Sequence, residues 1–264
     1  MDKKIFSLVL GGGAARWLAH IGVIEQLEKI GVIPIEISGT SIGALIGAFY
    51  AAGYSAKEMK NIVHEVSIIS LVDLDLKNWL LKWAKITKFL WKYLGDMQFS
   101  ELKIPLSIVA TDIDTGEKII FREGRVIDAI RASIGIPRVF IPFKHKWMHL
   151  VDGGIMENLP IGVLLTDSPV IAVSVQIDIK KRVRVKKSFF FPNGTMLSNS
   201  YGVIRKMIWI MMIQNEIRSI EARWSVILIR PERDDIDYYD FKKMNLMIAE
   251  WYHSAAPLAE YFNT

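Results

Sequence analysis

The sequence predicts an α/β protein, a three-layer α/β/α sandwich around a mainly parallel sheet with helical segments capping it. Three observations carry that prediction. Apolar runs of strand length at 5–10, 32–37, 106–110, 118–121, 169–175 and 225–230 alternate with helical segments. Two of those runs stop at glycine-rich turns from which a helix starts directly. A chain of 264 residues that is 51% hydrophobic and 23% charged can bury one large core and has no need of disorder. The expectation is a single domain over 1–264, with its motif-bearing core at 5–175 and lid-like or membrane-facing segments at 69–95 and 180–213.

The first strand, Ile5 to Leu10, ends at Gly11-Gly12-Gly13-Ala14-Ala15-Arg16, and a helical pattern follows at once. Such a loop presents backbone N–H groups to an anion, with Arg16 beside them, and so suits an oxyanion or a phosphate. Two nucleotide readings fail, because there is no G-x-G-x-x-G and no Lys-Ser or Lys-Thr to close a P-loop.

The second strand, Val32 to Ile37, runs into Ser38-Gly39-Thr40-Ser41-Ile42-Gly43-Ala44. A G-x-S-x-G between an apolar strand and a small-residue helix marks a nucleophile elbow and nominates Ser41 as a catalytic serine. The plainer alternative is a Gly/Ser turn that starts a helix. Between Lys77 and Leu94, Lys82, Lys85, Lys88 and Lys92 recur every three or four residues, with Trp79, Trp83, Ile86, Leu90 and Tyr93 on the other side. That pattern is a cationic amphipathic helix, which lies either on an anionic bilayer or with its apolar stripe on the protein core.

Further on, Val151-Asp152-Gly153-Gly154 places an aspartate at a strand end before two glycines, with Asn158-Leu159-Pro160 close behind. By itself it reads first as an ordinary Asp-Gly turn. The basic run 180–187 precedes Phe189-Phe190-Phe191-Pro192, either a lipid-facing loop or an edge strand protected by charge. From Ser198 to Trp224 the spacing predicts one long helix whose methionines fill core space or wall an acyl pocket.

Gly12-Gly13-Ala14-Ala15-Arg16, Gly39-Thr40-Ser41-Ile42-Gly43 and Asp152-Gly153-Gly154, in that order, resemble the signature of the patatin-like phospholipase family. The resemblance extends to Ala19-His20-Ile21-Gly22-Val23, Ala110-Thr111-Asp112, Arg131-Ala132-Ser133 with Ile136-Pro137, and Asn158-x-Pro160, and more faintly to Asp240-Phe241. It implies that Ser41 is the nucleophile of a Ser-Asp dyad, Asp152 its base, and the N–H groups of Gly12, Gly13 and Ala14 the oxyanion hole, with Arg16 orienting the loop or meeting a lipid phosphate. Two positions depart from the family pattern: Ala14 stands at the third glycine and Trp17 at the last.

A serine hydroxyl needs a base to take its proton as it attacks. Of the five histidines, His253 alone could complete the order Ser, Asp, His after Asp152, and it lies on an amphipathic helix. The dyad is therefore preferred, with that triad as the alternative. The implied function is hydrolysis of fatty-acyl esters of phospholipids or other lipids. The alternatives are a short-chain carboxylesterase without an interfacial role, or a catalytically impaired membrane-binding or regulatory protein. No metal or organic cofactor is called for, since no ligand cluster is present and the chemistry needs only nucleophile, base and oxyanion donors.

The net charge of +5 fits peripheral contact with anionic membrane, and no nucleic-acid module is visible. Cys is absent, which excludes disulfides and thiolate metal sites. Asp2-Lys3-Lys4 imitates the start of a signal peptide, but the apolar run after it is too short for an h-region. The stretch Met207 to Ile213 is likewise far below the roughly 18 residues of a membrane span. A cytoplasmic protein, peripheral on membrane at most, is expected.

Overall fold

Side chains that alternate between two buried faces of the central strands set the layers of the protein. The computed structural model describes residues 5–13, 18–65, 74–75, 80–81, 84–135, 141–176, 196–230, 248–249 and 252–263. In β1 (Ser7–Leu10), Leu8 and Leu10 point into one core and Val9 into another. β1 leads through α1 (Leu18–Ile30) to β2 (Glu36–Thr40), then to α2 (Ile42–Ala52) and α3 (Ala56–Glu65). A short ladder of β3 (Leu74–Asp75) and β4 (Leu80–Leu81) precedes α4 (Ala84–Leu94). There follow β5 (Leu106–Asp112), β6 (Lys118–Phe121), α5 (Val126–Ser133), β7 (Phe143–His145), β8 (Met148–Asp152), α6 (Gly154–Glu157) and β9 (Val170–Val173). The long α7 (Met196–Glu221), β10 (Val226–Ile229) and α8 (Pro257–Asn263) complete the order.

The main sheet runs β10-β9-β1-β2-β5-β8-β7, with β6 also on β5. From β10 to β5 neighbouring strands are parallel, whereas β6 and β8 run antiparallel to β5 and β7 antiparallel to β8. On one face Leu8, Leu10, Ile37, Ile171 and Val173 pack with Leu18, Ile21, Phe49, Leu90 and Ile130 of the helices. On the other, Val9, Val170 and Ala172 meet Leu159, Ile161 and, from α7, Ile220. The expected α/β sandwich with a mainly parallel sheet is therefore what the chain forms. Among the described residues no helix is long and apolar enough to cross a membrane.

Several expected elements differ in extent. The second strand is Glu36–Thr40 rather than 32–37. Pro34 has no N–H to give a ladder and Ile33 is 65% exposed, so pairing starts beyond them and carries Gly39 and Thr40 up to the elbow. The helix expected over 77–94 is helical over 84–94, because Leu80 and Leu81 pair with β3. Its apolar stripe is seated on the core through Ile86, Leu90 and Tyr93, while Lys85, Lys88, Lys92 and Trp91 are exposed. Trp79, Lys82 and Trp83 lie outside the described residues, as do the basic and aromatic stretch 180–191 and Asp240-Phe241. The long helix spans Met196–Glu221, close to the expected 198–224.

Candidate active site

One edge of β5 brings the site together. β6 occupies the opposite edge through Val109↔Ile120 and Ala110↔Ile119. Along the remaining edge β5 pairs first with β2, up to Val109↔Thr40, and at the next position with β8, through Ala110↔Asp152. The parallel β2 and the antiparallel β8 thus meet end to end, and the residue after Thr40 is Ser41. Residues 111 positions apart in sequence come into direct contact: Ser41 Oγ donates a hydrogen bond of 2.5 Å to Asp152 Oδ2.

Ser41 has φ 54° and ψ −123°, a strained conformation for a residue with a Cβ and the backbone signature of a nucleophile elbow. Its N–H donates to Ser133 Oγ at 2.7 Å, and Ser133 in turn donates to Val109 O at 2.6 Å, which pins the turn to the central strand. The flanking glycines are there for close approach: a Cβ on Gly43 would sit 2.1 Å from Leu10 O, and one on Gly39 2.7 Å from Ala44 Cα. Ser41 stands immediately before α2, where unpaired helical N–H groups and the helix dipole favour negative charge.

Asp152 is 6% exposed and takes hydrogen bonds from Ser41 Oγ and, at 2.8 Å on its other oxygen, from Gly154 N. Burial pushes its carboxyl up to about 6, against the pull of those two donors. A carboxylate poised near neutral pH and touching a serine hydroxyl can take and return that proton. Among the described residues no histidine contacts Ser41 or Asp152. His253 is exposed, in a groove with Glu25, Glu28 and Lys60 of α1 and α3, and the triad order is not assembled through it. His20 is buried with its Nε2 2.8 Å from Gly11 O, and burial lowers its pKa to about 4, which keeps it neutral. Nor do three His, Asp or Glu side chains converge to hold a metal ion among the described residues.

The glycine loop lies against Ser41, since a Cβ on Gly12 would come within 3.2 Å of Ser41 Cβ. One expected donor is corrected by this geometry: the Gly12 N–H points to Asn158 O at 3.0 Å, not into the site. The Gly13 N–H has no partner among the described residues, and a Cβ there would collide with Val175. Ala14, Arg16 and Trp17 lie outside the described residues. What the sequence did not single out is the buried group behind this loop. Asn158 donates through Nδ2 to Gly12 O at 3.1 Å and to Glu216 Oε1 at 2.5 Å. Asn158 was legible as a motif position, whereas Glu216, one of two acids in the mixed helix Met196–Glu221, carries only a weak signal in sequence.

With this arrangement in view, residues 8–165 match the family described as Patatin-like phospholipase. The chain belongs to the patatin-like phospholipase family. An uncharacterized NTE family protein of Mycobacterium bovis is 34% identical over 176 residues, covering 65% of this patatin-like chain and 49% of that protein. YqhO of Bacillus subtilis is 28% identical over 269 residues, 88% of this chain and 89% of its own. The protein named Lysophospholipase NTE1 of Yarrowia lipolytica is 32% identical over 185 residues, 67% of this chain and 13% of that one. The chain spans about half the length of the first of these curated relatives. The crystal structure of VipD from Legionella pneumophila shares the patatin-like fold with a TM-score of 0.62 at 12% identity, over 99% of this chain and 67% of that one.

Proposed function

We propose that the protein is a serine acyl hydrolase that cleaves fatty-acyl esters of phospholipids or other lipids, of phospholipase A or lysophospholipase type. The observation that carries this reading is the 2.5 Å hydrogen bond from Ser41 Oγ to Asp152 Oδ2 at a strained elbow. Ser41 Oγ attacks the ester carbonyl carbon while its proton passes to Asp152. The tetrahedral oxyanion is met by the Gly13 N–H and the start of α2. Collapse breaks the ester C–O bond, and the leaving alcohol takes the proton from Asp152. Water then attacks the acyl-serine with Asp152 again accepting a proton, and the fatty acid leaves as Ser41 is restored. Membership of the family and the name of the Yarrowia relative support lipid over other esters.

A short-chain carboxylesterase is the second reading, favoured by the seating of Ile86, Leu90 and Tyr93 on the core. On the lipid-hydrolase reading, contact with anionic membrane falls to the exposed Lys85, Lys88, Lys92 and Trp91. Hydrolysis of esters over a chain-length series, with and without anionic vesicles, separates the two readings. Fluorophosphonate labelling of the wild type, absent in Ser41→Ala with the fold intact, checks the nucleophile. Undiminished hydrolysis in that variant would refute both.

A further inference from the structure

α7 reaches the glycine loop by two routes from one face. Trp209 and Glu216 stand seven residues apart, two turns of helix, and so share a side. Trp209 Nε1 donates to Gln176 Oε1 at 3.2 Å, and Gln176 Nε2 donates to Gly12 O at 3.1 Å. Glu216 Oε1 accepts from Asn158 Nδ2, which also donates to Gly12 O, while the Asn158 carbonyl accepts the Gly12 N–H. Both polar groups of Gly12 are thus held by Asn158, and Asn158 is turned by Glu216. This residue lies outside the 8–165 that match the family.

A buried carboxylate is a costly way to fasten a helix. Glu216 is fully buried, and desolvating a carboxylate carries a cost that an apolar side chain would not incur. Burial pushes its carboxyl up, with Ser174, Asn158 and Arg230 acting the other way. Ser174 Oγ donates to its second oxygen at 2.6 Å, with Arg230 Nη2 at 3.5 Å. What the acceptor does there is choose the amide's orientation. With Nδ2 drawn to Glu216 and Gly12 O, Asn158 Oδ1 faces the glycines, where a Cβ on Gly12 would lie 2.6 Å away and one on Gly154 2.7 Å. The amide is wedged between the loop beside Ser41 and the turn that supports Asp152.

We infer that Glu216 is a positioning residue of the hydrolase, acting through Asn158 to hold the Gly12–Gly13 loop where the oxyanion forms. The inference rests on the hydrolase reading above. Its test compares wild type, Glu216→Leu and Glu216→Gln in kcat, KM, thermal melting and titration of reactive Ser41 with a fluorophosphonate. Because the loop acts on the transition state more than on bound ester, Glu216→Leu should lower kcat per titrated serine by about 10–100-fold, with KM within about threefold. Its melting temperature should fall, because Asn158 Nδ2 and Ser174 Oγ lose their acceptor, with the variant still folded at the assay temperature. Glu216→Gln, which offers Asn158 the same acceptor and can donate to Ser174, should recover most of the lost rate. A Leu variant as fast as wild type, one that unfolds, or a Gln variant as slow as Leu would each overturn the inference. A wild type whose Ser41 never labels would overturn the hydrolase reading and this inference with it. A labelled, active wild type beside an equally active Leu variant overturns this inference alone.

Discussion

The two ends of β2 carry buried carboxylates in opposite conditions. Before the strand's first residue has left the core, Glu36 accepts from Ser7 Oγ at 2.9 Å, Leu165 N at 2.8 Å, Thr166 N at 3.0 Å and Thr166 Oγ1 at 2.5 Å. Burial acts to raise its pKa, but those donors together outweigh it and hold the carboxyl below its usual value. Just past the other end, Asp152 has two donors, and there burial wins, raising its carboxyl to about 6. Depth of burial and donor number together decide the difference. A saturated carboxylate stays ionised and ties the Leu165–Thr166 turn to the sheet, while an under-supplied one is ready to take a proton from Ser41.

The contrast breaks most visibly at Asp152. Asp152→Asn keeps the shape and the bond from Gly154 but removes the proposed base, so turnover should fall on the order of a hundredfold or more in a steady-state ester assay. The same change should stabilise the protein at neutral pH. Between 3.8 and about 6 the folded state keeps a proton that the unfolded chain has lost, so Asp152's contribution to stability declines as pH rises through that window. Once ionised it costs on the order of 1–3 kcal/mol, which denaturant melts of Asp152→Asn at pH 8 should recover. Loss of stability in that variant would contradict the account of its raised pKa.

The next effect is the pH profile. With Asp152 as base, kcat/KM should drop about tenfold per unit below pH 6 and stay level above it until other groups titrate. A profile flat down to pH 4.5 would remove Asp152 from that role.

At the other end, Glu36→Gln should cost about 2 kcal/mol of stability by losing charge-assisted hydrogen bonds, with kcat per titrated Ser41 unchanged. Because the folded pKa of Glu36 is lowered, its contribution is complete above the unfolded value near 4.5 and is lost as pH falls through the folded one. Melts of wild type and variant should therefore converge in acid. The smallest effect belongs to His253→Ala, expected to leave kcat/KM within about twofold, because this exposed residue touches neither Ser41 nor Asp152. A large loss there would revive a Ser-Asp-His arrangement.

Much of this was legible in the order of residues. Gly39-x-Ser41-x-Gly43 reads directly because an elbow is a local object: its φ of 54° and the packing that would put a Cβ on Gly43 only 2.1 Å from Leu10 O are set within a few residues of chain and one neighbouring strand. Strand-length apolar runs at 5–10, 106–110 and 118–121 likewise became β1, β5 and β6, since period and burial are encoded locally. The run at 32–37 misled because apolar character alone does not reveal that Pro34 delays pairing to Glu36.

Residue type and spacing nominated Ser41, an anion-binding glycine loop and the α/β class around them, and the family resemblance added Asp152. Only the tertiary structure decided which groups face which. It set β2 and β8 end to end on one edge of β5, turned the Gly12 N–H to Asn158 instead of the site, and placed Glu216 behind that amide. Sequence records local geometry faithfully because φ, ψ and side-chain period act over a few residues. The direction of a hydrogen bond between residues 58 or 111 positions apart depends on how whole strands and helices pack, and that is fixed only when the chain has folded.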